Sequence, residues 1–234
     1  MIRNLIYHFY PEKTKFKFHY EYLMKYKHIF TGRRLICFSL DSNNTDVYSI
    51  DEIKDRFDDF EIFTIDNDVN ARETKSFFQI LLPEIINAPG NTFFGHSKSN
   101  STKRLQTAYN EIHTLWTSYL YETNLSQIDV IDDIMQTYDA CGPFIRTTNL
   151  GVIPISKWHF SGTMFWFNNQ SLKNKINNIN VYKNQFGTNR YGVEGFLGSI
   201  LDINNIQCIF DIPGDLGAPV ADNVLLTYNK RNNI

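Results

Sequence analysis

Residues 158–168 read Trp158-His159-Phe160-Ser161-Gly162-Thr163-Met164-Phe165-Trp166-Phe167-Asn168. With a period of two, Phe160, Gly162, Met164 and Trp166 point one way, and His159, Ser161, Thr163, Phe165 and Phe167 the other. The second half is apolar on both sides, as in a strand buried inside a sheet with helices on both faces. The first half carries an imidazole, two hydroxyls and a glycine that lets backbone or ligand come close. One strand is therefore expected over 158–168. Its His159–Thr163 end is either a set of satisfied polar groups or the border of a polyhydroxylated ligand.

Working outward, the upstream chain alternates. Strands are expected at Asn4–Phe9, Arg34–Leu40, Phe60–Ile65 and Thr92–Gly95, each an apolar run stopped by turn residues. Between them, Lys15–Phe30, Ser49–Phe57 and Ala71–Ile86 show helical spacing. Helices are also expected over Leu105–Asn124, Gln127–Tyr138 and Tyr191–Leu201, with a short strand at Cys208–Phe210. This alternation predicts an α/β fold with a mostly parallel, doubly wound central sheet flanked by helices. In such sheets ligands bind beyond the carboxyl ends of the strands. Polar residues gather there: Asp41, Asp66 and Asp68, then His96 and Lys98.

At 234 residues, with 42% apolar and 15% aromatic side chains, the chain is long enough for one domain over 1–234 with a sizeable core, ending in a short tail at about 222–234. The net charge of −2 offers no overall basic field for nucleic acid. Such a partner would need a local patch, and Lys98, Lys103, Arg104, Lys230 and Arg231 supply a modest one. Cys37, Cys141 and Cys208 are far apart and lack zinc spacing, so buried reduced thiols and a cytoplasmic location are expected. No run approaches the ~20 apolar residues of a membrane span.

Three stretches together resemble a known family. They are Asn70–Phe77 leading into Leu81-Leu82-Pro83, Phe93-Phe94-Gly95-His96-Ser97-Lys98 with Trp116 and Tyr121 downstream, and Trp158–Phe167 followed by Tyr191-Gly192-Val193-Glu194. The order is similar to a group of glycosyltransferases predicted in bacteria and large viruses, with a His-x-Lys-Gly strand end and a later W-H-x-S-G-T-x-x-W strand. The resemblance covers about residues 60–212. Ser99 departs from it by standing where the glycine after His-x-Lys is usual. The resemblance implies a single-domain, Rossmann-like fold of the GT-A type that binds a nucleotide-sugar.

In better-known enzymes of that type an Asp-x-Asp ends the fourth strand, and its metal holds the donor diphosphate. Here that place reads His96-Ser97-Lys98, and a histidine with a lysine does not make a magnesium or manganese site. Lys98 is expected to supply the charge directly, with His96 donating beside it, so no metal is required. Asp66-Asn67-Asp68 is the literal Asp-x-Asp and stays the alternative metal site, although Asp and Asn are ordinary turn residues. Arg72 is a candidate for donor phosphate. His8 and Asp41, at the first two strand ends, are candidates for the nucleoside.

Glu194, between Gly192 and Gly195, is the candidate base on the incoming hydroxyl or a hydrogen-bond partner of the acceptor sugar, with His159 the alternative base. Ser161, Gly162 and Thr163 are expected beside sugar hydroxyls. Trp158 or Trp166 stacks on a sugar face, or both pack. The leading expectation is transfer of a sugar from a nucleotide-sugar to a glycan or other hydroxyl acceptor. The alternatives are glycosylation of modified DNA bases and a non-catalytic carbohydrate-binding module.

Overall fold

A computed structural model describes residues 1–97, 107–147, 153 and 156–209. In chain order these form β1 (Arg3–Phe9), α1 (Lys13–Tyr26), β2 (Arg34–Leu40), α2 (Ile50–Ile53), β3 (Glu61–Asp66) and α3 (Glu73–Ser76). A π-helical turn, Phe77–Leu81, leads into α4 (Leu82–Ile85), followed by β4 (Asn91–His96), α5 (Thr107–Leu125) and α6 (Ile128–Ile134). Then come β5 (Ala140–Gly142), β6 (Ile145–Arg146), β7 (His159–Phe160), β8 (Phe165–Asn168), α7 (Asn169–Lys173), α8 (Ile176–Phe186), α9 (Gly192–Ile200) and β9 (Ile206–Cys208). The central sheet has the order β3-β2-β1-β4-β8-β5-β9, and β6 pairs with β7 outside it. The pairs β2–β3, β1–β2, β1–β4 and β5–β9 are parallel; β8 is antiparallel to both its neighbours.

The sheet is buried on both faces at its centre, in β1, β2, β4 and β8, while edge strand β3 is half-exposed, and the side chains sort by the period of two. Leu5, Tyr7, Phe9, Ile36, Phe38, Phe93 and Trp166 join one apolar cluster with Phe16, Leu23 and Leu120. Ile6, Leu35, Cys37, Phe94, Phe165 and Phe167 join the other, with Phe77, Phe78, Leu172, Ile179 and Phe196. Each such buried side chain contributes roughly 1.5–3 kcal/mol. The expected α/β class and mostly parallel sheet are present. Cys37 and Cys141 are buried and Cys208 is half-buried. Among the described residues no helix is long and apolar enough to cross a membrane.

The expected single strand over 158–168 is corrected to two. β7 ends at Phe160, and a turn follows in which Thr163 N–H donates to Phe160 O at 3.2 Å. Gly162 there has φ +89°, the value a type II turn needs at its third position, and Thr163 follows at φ +56°. A Cβ on Gly162 would also meet Leu120 Cδ1 at 2.6 Å. The turn resets the alternation, so Phe160 packs with Phe165 and Phe167, and Met164 with Trp166. Sequence reading also missed β5, β6, α7 and α8, and placed the end of α6 too late. The tail at 222–234 lies outside the described residues.

Asparagine is common in this chain, and three buried copies staple the fold. Asn4 Nδ2 donates to Pro89 O at 3.0 Å while its Oδ1 accepts from Arg33 N–H at 2.9 Å. Asn169 Nδ2 donates to Ile85 O and Ala88 O, and its Oδ1 accepts from Thr92. Asn124 Nδ2 donates to Leu120 O at 2.7 Å and to Met164 O at 3.4 Å, tying α5 to the start of β8.

Candidate functional site

The chain winds from β1 outward to β2 and β3, then returns to place β4 on the other side of β1. A crevice opens where winding reverses, beyond the carboxyl ends of β1 and β4. A cleft of about 850 Å³ lies there. His8, Asp41, Arg72, His96, Gly162, Thr163 and Glu194, all expected from the sequence, line it.

The β1–β2 end is a network of hydroxyl, amide and carboxylate groups. Asp41 Oδ2 accepts from Asn67 Nδ2 at 3.1 Å and from Tyr10 O–H at 3.4 Å, and Asn44 Nδ2 donates to Tyr10 Oη at 2.9 Å. Ser39 Oγ donates to Asn67 Oδ1 at 3.3 Å, so the asparagine is held at both ends. Among the described residues Asp41 Oδ1 has no partner, which leaves an acceptor at the cleft.

His8 is 5% exposed and its Nδ1 lies 2.8 Å from Ser76 Oγ, whose hydroxyl donates to Glu73 O at 2.9 Å. That hydroxyl proton is committed, so Nδ1 must donate, and Nε2 is left as an acceptor on the cleft. Burial lowers the His8 pKa to about 3. An unfolded histidine takes up a proton below about 6.5. Between these values the unfolded chain binds one more proton, so it gains on the folded chain as pH falls. The His8 contribution is thus complete above pH 6.5 and is lost on the way down to pH 3, at about 1.4 kcal/mol per pH unit. Urea midpoints measured across that range should fall less steeply for His8→Asn than for the wild type.

The floor is built by β4 and the turn after β7. His96, 4% exposed, donates from Nε2 to Gly162 O at 3.3 Å, fixing the turn against β4. Ser97 Oγ accepts from Tyr10 N–H at 2.7 Å, and Ser97 N–H donates to His8 O at 2.9 Å, joining the two strand ends. Trp116 lines the floor with its ring centroid 4.6 Å from that of Phe144.

On the helical side stand Arg72, Glu73, Arg190, Tyr191 and Glu194. Val193 N–H donates to Thr74 Oγ1 at 3.1 Å, pinning the start of α9 to α3. Glu194, with a quarter of its side chain exposed, has Oε1 3.6 Å from the Nε2 of buried His159. The α9 N-terminus favours its negative charge.

Backbone strain concentrates here. The non-glycine residues with positive φ among those described are Arg72 (φ +48°), Phe144 (φ +57°) and Thr163 (φ +56°). Two line the cleft and the third packs on Trp116. Such conformations cost about 1–3 kcal/mol each and persist where the surroundings enforce them, often at functional sites.

Other expected residues lie elsewhere. Trp158 is 1% exposed and packed on Phe160 inside the apolar core, so it faces no ligand. Ser161 is buried, its N–H donating to Phe144 O, and it is outside the cleft lining. Asp68 Oδ1 accepts from the N–H groups of Asn70 and Ala71, as a turn residue does, and neither it nor Asp66 lines the cleft. Asn67 between them does. Among the described residues no group of three or more His, Cys, Asp or Glu is placed to hold a metal ion. Lys98, Lys103, Arg104, Lys230 and Arg231 lie outside the described residues.

Tyr10, Asn44, Asn67, Trp116, Arg190 and Tyr191 line the cleft without having been singled out as site residues. Arg190-Tyr191, at the start of an expected helix, was the available signal for two of them. No protein-family model matches the chain, and no curated protein matches it.

Proposed function

We propose that the chain is a glycosyltransferase of the GT-A type, moving a sugar from a nucleotide-sugar to a hydroxyl acceptor. The observation that carries the reading is the graded chemistry of one cleft at the switch point of the sheet. At the β1–β2 end, Asp41 Oδ1 and His8 Nε2 are acceptors suited to the hydroxyls and N–H groups of a nucleoside. At the far end stand two guanidiniums and a carboxylate backed by an imidazole.

In this reading Glu194 takes the proton of the acceptor hydroxyl as its oxygen attacks the anomeric carbon, and the nucleoside diphosphate leaves with the bonding pair. Buried His159 holds the carboxylate in place. Trp116, and not Trp158, offers an aromatic surface to a base or sugar in the cleft, beside Tyr10 and Tyr191. His96 shapes the floor through Gly162. The sequence resemblance set out above points the same way.

The test is nucleotide release from a panel of nucleotide-sugars, with and without manganese. Release from one of them, accelerated by an acceptor, is the expected result. Absence of release from every common donor would sink the transferase and leave a binding module.

A further inference from the structure

Arg72 and Arg190 reach the cleft from distant parts of the chain, one closing the β3–α3 connection and the other just before α9. Among the described residues neither guanidinium has a carboxylate in ion-pair contact. Arg190 Cζ lies 5.3 Å over the Tyr191 ring, which steadies it. Arg72 is held below the usual arginine range, first by burial and then by the charge of Arg190, with Glu73 and Tyr191 opposing. Two guanidiniums facing one cleft without a carboxylate partner, one of them on a strained backbone, repel each other, and an anion between them would relieve that cost.

We propose that Arg72 and Arg190 together seat a pyrophosphate group, taken as the diphosphate of the donor. Its identity as a donor rests on the nucleotide-sugar reading; its chemistry does not. Each guanidinium presents a planar fork that matches two oxygens, and two linked phosphates supply a partner for each fork. A single carboxylate would satisfy one. A nucleic-acid backbone suits the place poorly, because Glu12, Asp41, Asp46, Glu73 and Glu194 line the same cleft and repel an extended polyanion. A compact anion held between the two arginines meets fewer of these carboxylates than an extended one and has a guanidinium on each side. His96, with Nε2 already given to Gly162, is left to shape the site.

The test is calorimetry in EDTA with inorganic pyrophosphate, then with ADP, GDP, UDP and CDP and the corresponding nucleosides. Arg190 is exposed, so Arg190→Ala should leave the fold intact. Its affinity for pyrophosphate and for the preferred nucleoside diphosphate should fall about tenfold to a hundredfold, with nucleoside affinity unchanged. Arg190→Lys should recover only part of the loss. Wild-type protein that fails to bind pyrophosphate, unchanged affinity in Arg190→Ala, or an equal loss for the nucleoside would each overturn the seat. An oligonucleotide that displaces pyrophosphate more effectively than any nucleoside diphosphate would overturn it too. Arginine-dependent pyrophosphate binding without turnover of any donor upholds the seat and removes the transferase. Turnover that Arg190→Ala leaves untouched does the reverse.

Discussion

Glu194→Gln is expected to lower the rate of sugar transfer by about 10²–10⁴-fold, the usual worth of a general base, while donor affinity stays the same. The amide keeps the size and hydrogen-bonding reach of the side chain but cannot take a proton at neutral pH. Its placement singles it out among the five acids of the cleft. It rides on α9, whose start is fixed to Thr74, and His159 stands behind it at 3.6 Å. Glycine at 192 permits that approach, since a Cβ there would meet Phe186 O at 2.2 Å and Thr74 Cγ2 at 2.7 Å. His159→Gln should cost less and change the pH profile, because a positioning group acts through the carboxylate it orients. If Glu194→Gln keeps its rate and His159→Gln loses it, the two roles are exchanged. Transfer rates under saturating donor, with donor affinity measured separately, decide between these outcomes.

Trp166→Ala should destabilise the fold by about 3–5 kcal/mol, enough to abolish folding in a marginally stable domain. Trp166 is fully buried on β8, between β4 and β5. Its ring centroid lies 5.9 Å from that of Phe30 and 5.4 Å from that of Phe93, and Nε1–H donates to Asn124 O at 3.0 Å. Truncation opens a cavity at the centre of one core cluster and removes a tie between β8 and α5. Trp166→Phe keeps most of the volume and should cost mainly the hydrogen bond and a smaller void. Urea midpoints of the two variants separate packing from the polar contact. Similar midpoints for both would mean that the ring volume contributes little.

The half of the molecule up to β4 was legible because its strands are continuous apolar runs between proline, glycine and acidic turns. Beyond β4 the signal weakens for identifiable reasons. β5, β6 and β7 are two or three residues long, too short for any period to show. α7 and α8 lie in an asparagine- and lysine-rich stretch whose buried side, Leu172, Ile179 and Tyr182, is thin. The Trp158–Asn168 stretch has strand composition throughout, and the turn inside it depends on Gly162 meeting Leu120 and His96, which are distant in sequence. Site residues followed the same division. Those at strand ends or in motifs, such as Asp41, His96 and Glu194, could be named in advance. Tyr10 and Asn44 belong to no motif, and Asn67 was hidden between two more conspicuous aspartates.

The position of β8 has a consequence for how the chain is made. β5 precedes it in sequence, yet among the described residues β5 pairs only with β8 and β9, and β8 alone covers the outer edge of β4. A nascent chain can assemble β1 to β4 as soon as they leave the ribosome, but no further. Until residues 165–168 emerge, Asn91-Thr92-Phe93-Phe94, all buried in the finished fold, form an open strand edge with unpaired backbone, of the kind that pairs with other chains. At typical synthesis rates that interval is on the order of ten seconds. The vulnerable period of this protein's life thus falls during translation, at the β4 edge.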